Sequence, residues 1–176
     1  GWQKDCAALR EICETFDLPI ALERSRSGNG AHAWFFFGEP LPAALARKFG
    51  SALLTCAMSR RHEISFKSYD RFFPNQDTLP KGGFGNLIAL PLQKSARERG
   101  NSVFVDQRFF PYEDQWGFMA GIRRLSTEEI MGLIPRLSPG SELGSLRKDE
   151  EENARPWETE RMRWTGSDFP ETVRLV

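Results

Sequence analysis

The sequence predicts an α+β domain, because helical and strand-like segments are mixed along it without regular βαβ alternation. Apolar side chains in residues 2–16 recur at three- and four-residue spacing, which is the period of an amphipathic helix. Residues 31–37 form an aromatic-rich apolar run, which is typical of a strand in the middle of a sheet. A chain of 176 residues is long enough to bury a core.

The other elements follow from the same periodicities and from turn residues. A short strand over residues 18–22 is expected after the first helix, and a long helix over residues 43–59 ends in cations, as helix C-termini favour. The segment Ser126-Thr127-Glu128-Glu129 has the pattern of a capping box. Further strands are predicted at 63–66, 86–92 and 103–105, and further helices at 112–122 and 127–133.

The composition predicts two parts, a domain over residues 1–137 and a linker or C-terminal extension over residues 138–176 that leads to a further domain. From Ser138 onward the chain turns to Ser, Pro and Gly and then to the charged run 147–152. The chain begins with Gly rather than Met, inside what already looks like a helix. We therefore expect an N-terminally truncated domain.

Bulk composition excludes few functions. Lys plus Arg and Asp plus Glu number 24 each, so net charge argues neither for nor against a nucleic-acid partner. The three cysteines form no CxxC pair, which favours free thiols in a reducing cytoplasm over disulfides or a zinc site. The apolar stretches are too short to cross a bilayer, so we expect a cytoplasmic protein with no membrane partner.

Residues 23–32 are the first segment that suggests chemistry. Two glycines allow a sharp turn that presents backbone N–H groups to an anion, and serines and arginines add hydroxyls and guanidinium groups suited to phosphate. A histidine follows where the next strand begins. The alternative is a hairpin turn with solvated arginines and a packed histidine. The candidate nucleotide-binding residues are Arg24, Arg26, Ser27, Gly28, Asn29, Gly30 and His32.

Residues 68–92 are the second such segment. Asp70 lies among aromatic residues, where a carboxylate is costly unless it binds a metal or pairs with a cation such as Arg71. Lys81 opens a glycine-rich loop that can contact phosphate or template, or that simply connects a hairpin. Asp106 ends a predicted strand, where it would hold a metal or cap the next turn. Asp114 is expected at a helix N-terminus.

These segments resemble a known family. Residues 24–37, RSRSGNGAHAWFFF, resemble the second motif of the archaeo-eukaryotic primases, in which a histidine follows a loop containing serine and glycine. Residues 68–77, SYDRFFPNQD, and 82–92, GGFGNLIALPL, resemble the third-motif region. The similarity is closest to the primase domain of TOTE conflict systems, where it is fused to a helicase in bacterial defence-like proteins, and it covers about residues 2–122.

The resemblance implies a split RRM-like sheet flanked by helices, and phosphoryl transfer with Mg²⁺ or Mn²⁺ held by three acidic residues. It implies that His32, with Ser27 and the loop 28–30 beside it, contacts the triphosphate of the incoming nucleotide, and that Asp70 holds metal. Catalytic roles therefore fall to Asp70 and His32. Contacts with nucleic acid fall to Arg71 and Lys81.

One departure from the family pattern is the first motif, an Asp-x-Asp pair that would precede Gly1. We therefore expect an inactive fragment of a primase-polymerase, a nucleotidyltransferase that extends a 3′-hydroxyl on single-stranded or primer-template DNA, with a helicase domain in its parent chain. The alternative is a non-catalytic nucleic-acid-binding module of the same fold, using a locally basic stretch. That stretch comprises Arg47, Lys48, Arg60, Arg61, Lys67 and Arg71.

Overall fold

The fold is built on a three-stranded antiparallel sheet in which strand β1 (Ala21–Arg24) lies between β2 (Ala31–Trp34) and β3 (Val103–Phe104). The computed structural model describes residues 1–60, 69–78 and 88–138. All of them belong to one compact unit, Gly1–Leu143. The helices are α1 (Trp2–Thr15), α2 (Ala43–Arg60), α3 (Lys94–Arg97), α4 (Gln115–Gly121) and α5 (Thr127–Leu137).

The register of the sheet decides which side chains share a face. Glu23 of β1 lies opposite His32 of β2 and opposite Phe104 of β3. Directly opposed residues point to the same side of a sheet and successive residues alternate. Glu23, His32 and Trp34 therefore share one face, and Arg24 points to the other.

The main core lies between helices α1, α2 and α5, which pack against one another and against the aromatic run that follows β2. Phe49 of α2 is 2% exposed and meets Phe35 edge-on, with ring centroids 5.3 Å apart. Leu125 and Ile130, at the start of α5, are fully buried. A second cluster packs on the sheet face that carries Arg24, and it comprises Leu22, Val103 and Val105 with Cys6, Ile20, Leu92 and Phe109.

The α+β class predicted from the sequence is confirmed, and so are helices α1 and α2 and the existence of α4 and α5. The capping box is present: Ser126 Oγ accepts from Glu129 N, and Glu129 Oε2 accepts from Ser126 N. Because Ile130, Leu133 and Leu137 form one buried stripe, α5 continues past the predicted end at residue 133. Helix α4 begins at Gln115, later than predicted, since Asp114 caps it.

The predicted strand positions need correction. The strand expected at 18–22 lies at Ala21–Arg24, because Leu18 N still bonds to Cys13 O at the end of α1. The run 31–37 is a strand only to Trp34. It lies at one end of the described strand order rather than in its middle. Residues 88–92, the described part of the strand predicted at 86–92, are not in a strand.

Several predictions fall outside the described residues. They are the strand at 63–66, Lys81 with its glycine-rich loop, the cations Arg61 and Lys67, and the C-terminal extension from residue 139 onward. Among the helices of the described part, none has both the length and the apolar character needed to cross a membrane.

Candidate functional site

The loop of residues 25–30 joins β1 to β2 and is closed by its own hydrogen bonds. Ser25 N donates to Gly30 O at 2.9 Å, and Gly28 N donates to Ser25 O at 2.9 Å. The N–H groups of Gly30 and Asn29 donate to Ser25 Oγ and Ser27 Oγ at 3.2 and 3.3 Å. These four N–H groups are therefore bonded within the loop and do not face an anion, as in the hairpin alternative.

A second segment, after helix α3, supports the loop from one side. Asn101 Nδ2 donates to Arg26 O at 3.3 Å, and Ser102 N donates to Arg24 O at 2.8 Å. Gly28 has a φ of +80°, and a Cβ on it would lie 2.8 Å from Asn101 Oδ1. The loop therefore needs glycine at this position for two reasons, the left-handed backbone and the close approach of Asn101.

The loop, β2 and the turn after α3 surround an open depression of about 430 Å³. The turn contributes a cation from far along the chain. Of the described residues, those that line the depression are two serines, two arginines and a histidine, and they include no carboxylate. Hydroxyl, guanidinium and imidazole groups together suit the oxygens of a phosphate. The lining residues are Ser25, Arg26, Ser27, His32 and Arg99.

A buried carboxylate holds the histidine of this depression. Glu23 is 2% exposed, and its Oε2 accepts a hydrogen bond from Trp34 Nε1 at 2.7 Å. His32 Nδ1 lies 3.1 Å from the same oxygen, and Ser102 Oγ donates to the other oxygen, Oε1, at 3.0 Å. Where this oxygen accepts from His32 as it accepts from Trp34, Nδ1 of His32 carries the proton.

The surroundings of His32 favour its charged form. The hydrogen bond that His32 donates to Glu23 is the largest influence and raises the pKa of His32, whereas partial burial lowers it and the charge of Glu23 raises it further. The charge of Asp70 also raises the pKa of His32, so the two side chains are near enough to interact electrostatically. The net result is a pKa above the usual value of 6.5.

The carboxylate assigned to metal by the resemblance lies at the surface. The Asp70 side chain is 85% exposed, and its Oδ2 pairs with Arg71 Nε at 3.1 Å, which was the alternative left open from the sequence. Within residues 1–60, 69–78 and 88–138, no three His, Cys, Asp or Glu side chains are placed to hold one metal ion. Glu23 is no substitute, because both its oxygens already accept hydrogen bonds. The described residues alone therefore do not fit a two-metal site.

Arg24 does not join the depression. Its guanidinium lies over the ring of Trp2 in α1, with Cζ 6.0 Å from the ring centroid, on the sheet face opposite His32. The expectation that Arg24 binds phosphate beside His32 therefore disagrees with its position. The physical reason is the alternation of a strand, which sends neighbouring side chains to opposite faces.

The remaining candidate residues have local structural roles. Asp106 Oδ1 accepts from the backbone N–H groups of Arg108 and Phe110 at 2.8 and 2.9 Å, so it caps a turn. Asp114 accepts from Gly117 N at 2.8 Å at the start of α4.

Most of the described cations of the basic stretch contact other side chains of the domain. Arg47 pairs with Asp77, Arg60 lies over the Phe16 ring and Arg71 pairs with Asp70.

Two residues of this site were not predicted from the sequence. Arg99 has no local signal, because its place in the depression depends on a contact between distant segments. Glu23 does have a local signal in the sequence, since a carboxylate directly after the apolar pair Ala21-Leu22 is unusual in a buried strand. Once residues 25–30 are taken as a hairpin loop, residue 23 lies across from residue 32, so the pair with His32 could have been inferred.

Comparison with known protein families adds an independent finding. The family model described as the TOTE conflict system, archaeo-eukaryotic primase domain, matches residues 1–133. No curated protein matches the chain at a significant level. The matched range includes every described element up to most of α5, and with them the depression and its buried carboxylate.

Proposed function

The chain belongs to the TOTE conflict system archaeo-eukaryotic primase domain family. We therefore propose that it is part of a nucleotidyltransferase and that it binds the triphosphate of that enzyme's nucleotide substrate. In this proposal the parent protein adds nucleotides to a 3′-hydroxyl on a single-stranded or primer-template DNA. The parent protein also carries a helicase domain, as the resemblance implies.

One observation carries the proposal, the grouping of cations and hydroxyls around the hairpin loop. Arg26 and Arg99 reach the depression from two separate segments, and His32 contributes an imidazole whose pKa is raised. Guanidinium groups and an imidazolium form charge-assisted hydrogen bonds with phosphate oxygens, which are stronger than neutral ones. Ser25 and Ser27 add hydroxyls that can rotate toward the same oxygens.

The transfer reaction needs more than these residues supply. The family's chemistry uses divalent metal ions that neutralise the triphosphate and activate the attacking hydroxyl. Asp70 is the described carboxylate closest to that role by resemblance, but it is exposed and paired with Arg71. We therefore assign binding of the triphosphate to the described residues. Catalysis, with Mg²⁺ or Mn²⁺, is assigned to carboxylates outside the described residues.

The test is a titration of the chain with a nucleoside triphosphate, followed by calorimetry, for matched arginine variants. Arg99→Ala removes a guanidinium from the depression and should weaken binding about tenfold or more, the effect of one charge-assisted hydrogen bond. Arg97→Ala removes an exposed guanidinium from the same segment, outside the depression, and should change affinity little. His32→Ala should weaken binding at least as much as Arg99→Ala.

Two outcomes would contradict the proposal. Equal affinities for the Arg97 and Arg99 variants would mean that the depression is not where the triphosphate binds. Failure of inorganic tripolyphosphate to compete with the nucleotide would mean that the phosphates are not what the site recognises. Tight binding of single-stranded DNA with a steep dependence on salt, and no binding of nucleotide, would favour the non-catalytic module.

A further inference from the structure

We infer that Glu23 is a positioning residue, which holds His32 so that its Nε2–H donates to a phosphate in the depression. The inference rests on the proposed function for the identity of the ligand. It assigns a role to a buried carboxylate that does not itself line the depression.

The first step of the argument is geometric. The hydrogen bond between His32 Nδ1 and Glu23 Oε2, at 3.1 Å, fixes one nitrogen of the ring against the sheet. The imidazole is 44% exposed, while its partner is 2% exposed. Because the two ring nitrogens lie on different sides of the imidazole, a bond that anchors Nδ1 leaves Nε2 for the depression that His32 lines.

The second step concerns the proton on Nε2. With Nδ1 donating to Glu23, a neutral imidazole would present a bare lone pair at Nε2, which repels phosphate oxygens. Only the imidazolium donates from both nitrogens. The negative charge of Glu23 favours this form, so one buried carboxylate both orients the ring and keeps the donor that phosphate needs.

The third step concerns the other groups around Glu23 and His32. Trp34 and Ser102 also donate to Glu23 but are neutral, so they fix the carboxylate without balancing its charge. Among the described charged groups, those that face His32 besides Glu23 are Arg26 and Arg99, which line the depression with it, and Asp70, which acts on it through its charge. Glu23 is the acid in direct contact with His32.

The test compares the chain with its Glu23→Gln variant, which keeps the size of the side chain and removes its charge. The first measurement is the NMR titration of His32 without ligand, in a His62→Gln background that leaves one histidine to follow. The expected result is a lower pKa for His32 in the variant. An unchanged pKa would overturn the inference, whatever the chain binds.

The second measurement is the triphosphate affinity of the unmodified chain divided by that of the variant, determined across a range of pH. Titration of the phosphate itself cancels in this ratio. We expect a ratio near one at acidic pH, where both proteins hold a protonated His32. It should rise to about tenfold, the loss expected for one charge-assisted hydrogen bond, in the pH range where His32 is neutral in the variant and still protonated in the unmodified chain. Above both pKa values the ratio should fall back toward one. A merely structural role would lower affinity by the same factor at every pH, and this result would overturn the inference.

A further variant keeps the test decisive if Glu23→Gln does not fold, as judged by circular dichroism. Ser102→Ala removes a neutral donor from Oε1 and leaves the bond to His32 in place. The carboxylate then shares its negative charge with one donor fewer, so the pKa of His32 should rise, and an unchanged or lower pKa would refute the argument. If the unmodified chain binds no triphosphate at any pH, the proposed function fails. The ligand-free titration then still decides whether Glu23 controls the charge of His32.

Discussion

Replacing Gly28 by alanine tests how the hairpin loop is supported. Gly28 has a φ of +80°, and the left-handed region costs about 1–2 kcal/mol for a residue with a Cβ. The new Cβ would also lie 2.8 Å from Asn101 Oδ1 and 3.1 Å from its Nδ2. Asn101 must then move and lose its bond to Arg26 O, which costs a further ~0.5–1.5 kcal/mol. The free energy of unfolding should therefore fall by about 1.5–3.5 kcal/mol.

The matched control is Gly100→Ala. Gly100 has a φ of +71°, and nothing lies within 4 Å of a Cβ built on it, so only the backbone cost applies. Both variants restrict the unfolded chain equally, so this effect cancels in their difference. Urea unfolding should show Gly28→Ala to be less stable than Gly100→Ala by about 0.5–1.5 kcal/mol. Equal losses in the two variants would refute the support of the loop by Asn101.

Three further predictions concern other parts of the chain. Ser126→Ala should lower the free energy of unfolding by about 1 kcal/mol in urea, whereas Glu129→Gln should lose less, since glutamine can keep the reciprocal bond of the capping box. The pKa of His32 is raised in the folded state. Protonated His32 therefore contributes its full stabilisation below the unfolded-state pKa of 6.5, and this stabilisation is lost as the pH rises through the folded-state pKa. A His32→Gln variant should lack this pH dependence in urea unfolding. Burial raises the pKa of Cys13 to about 12, and partial burial raises that of Cys6 to about 11. Alkylation of both thiols at neutral pH should be slow in the folded protein and fast after unfolding, and rapid labelling of Cys13 in the folded chain would contradict its burial.

Local signals predicted the helices well, because their information lies within a few residues of each other. The apolar residues of α1 recur every three or four positions, and the capping box of α5 fits in one turn of helix. The strands were predicted less well. The run 31–37 has one composition throughout, yet only Ala31–Trp34 pairs with β1, and Phe37 instead bridges to Leu125 near α5. The strand ends where its pairing with β1 ends, and the next residues contact a segment far along the chain. The composition of residues 31–37 contains no information about that segment.

The predicted site divides in the same way. Arg26, Ser27 and His32 were predicted as site residues because they are close together in the sequence, and all three line one depression in the structure. Arg24 belongs to the same stretch of sequence but lies over Trp2 on the other face. Composition could not separate the two arginines, because the difference between them is the register of a strand.

By itself, the sequence determined the family, the α+β class and the loop that leads to His32, because motifs and periodicities are properties of neighbouring residues. Only the tertiary structure decided that Arg99 completes the depression, that Glu23 is buried beneath His32 and that Asp70 is exposed and paired. Burial and charge pairing depend on which distant segments meet. That meeting is set by strand register and helix packing over the whole domain.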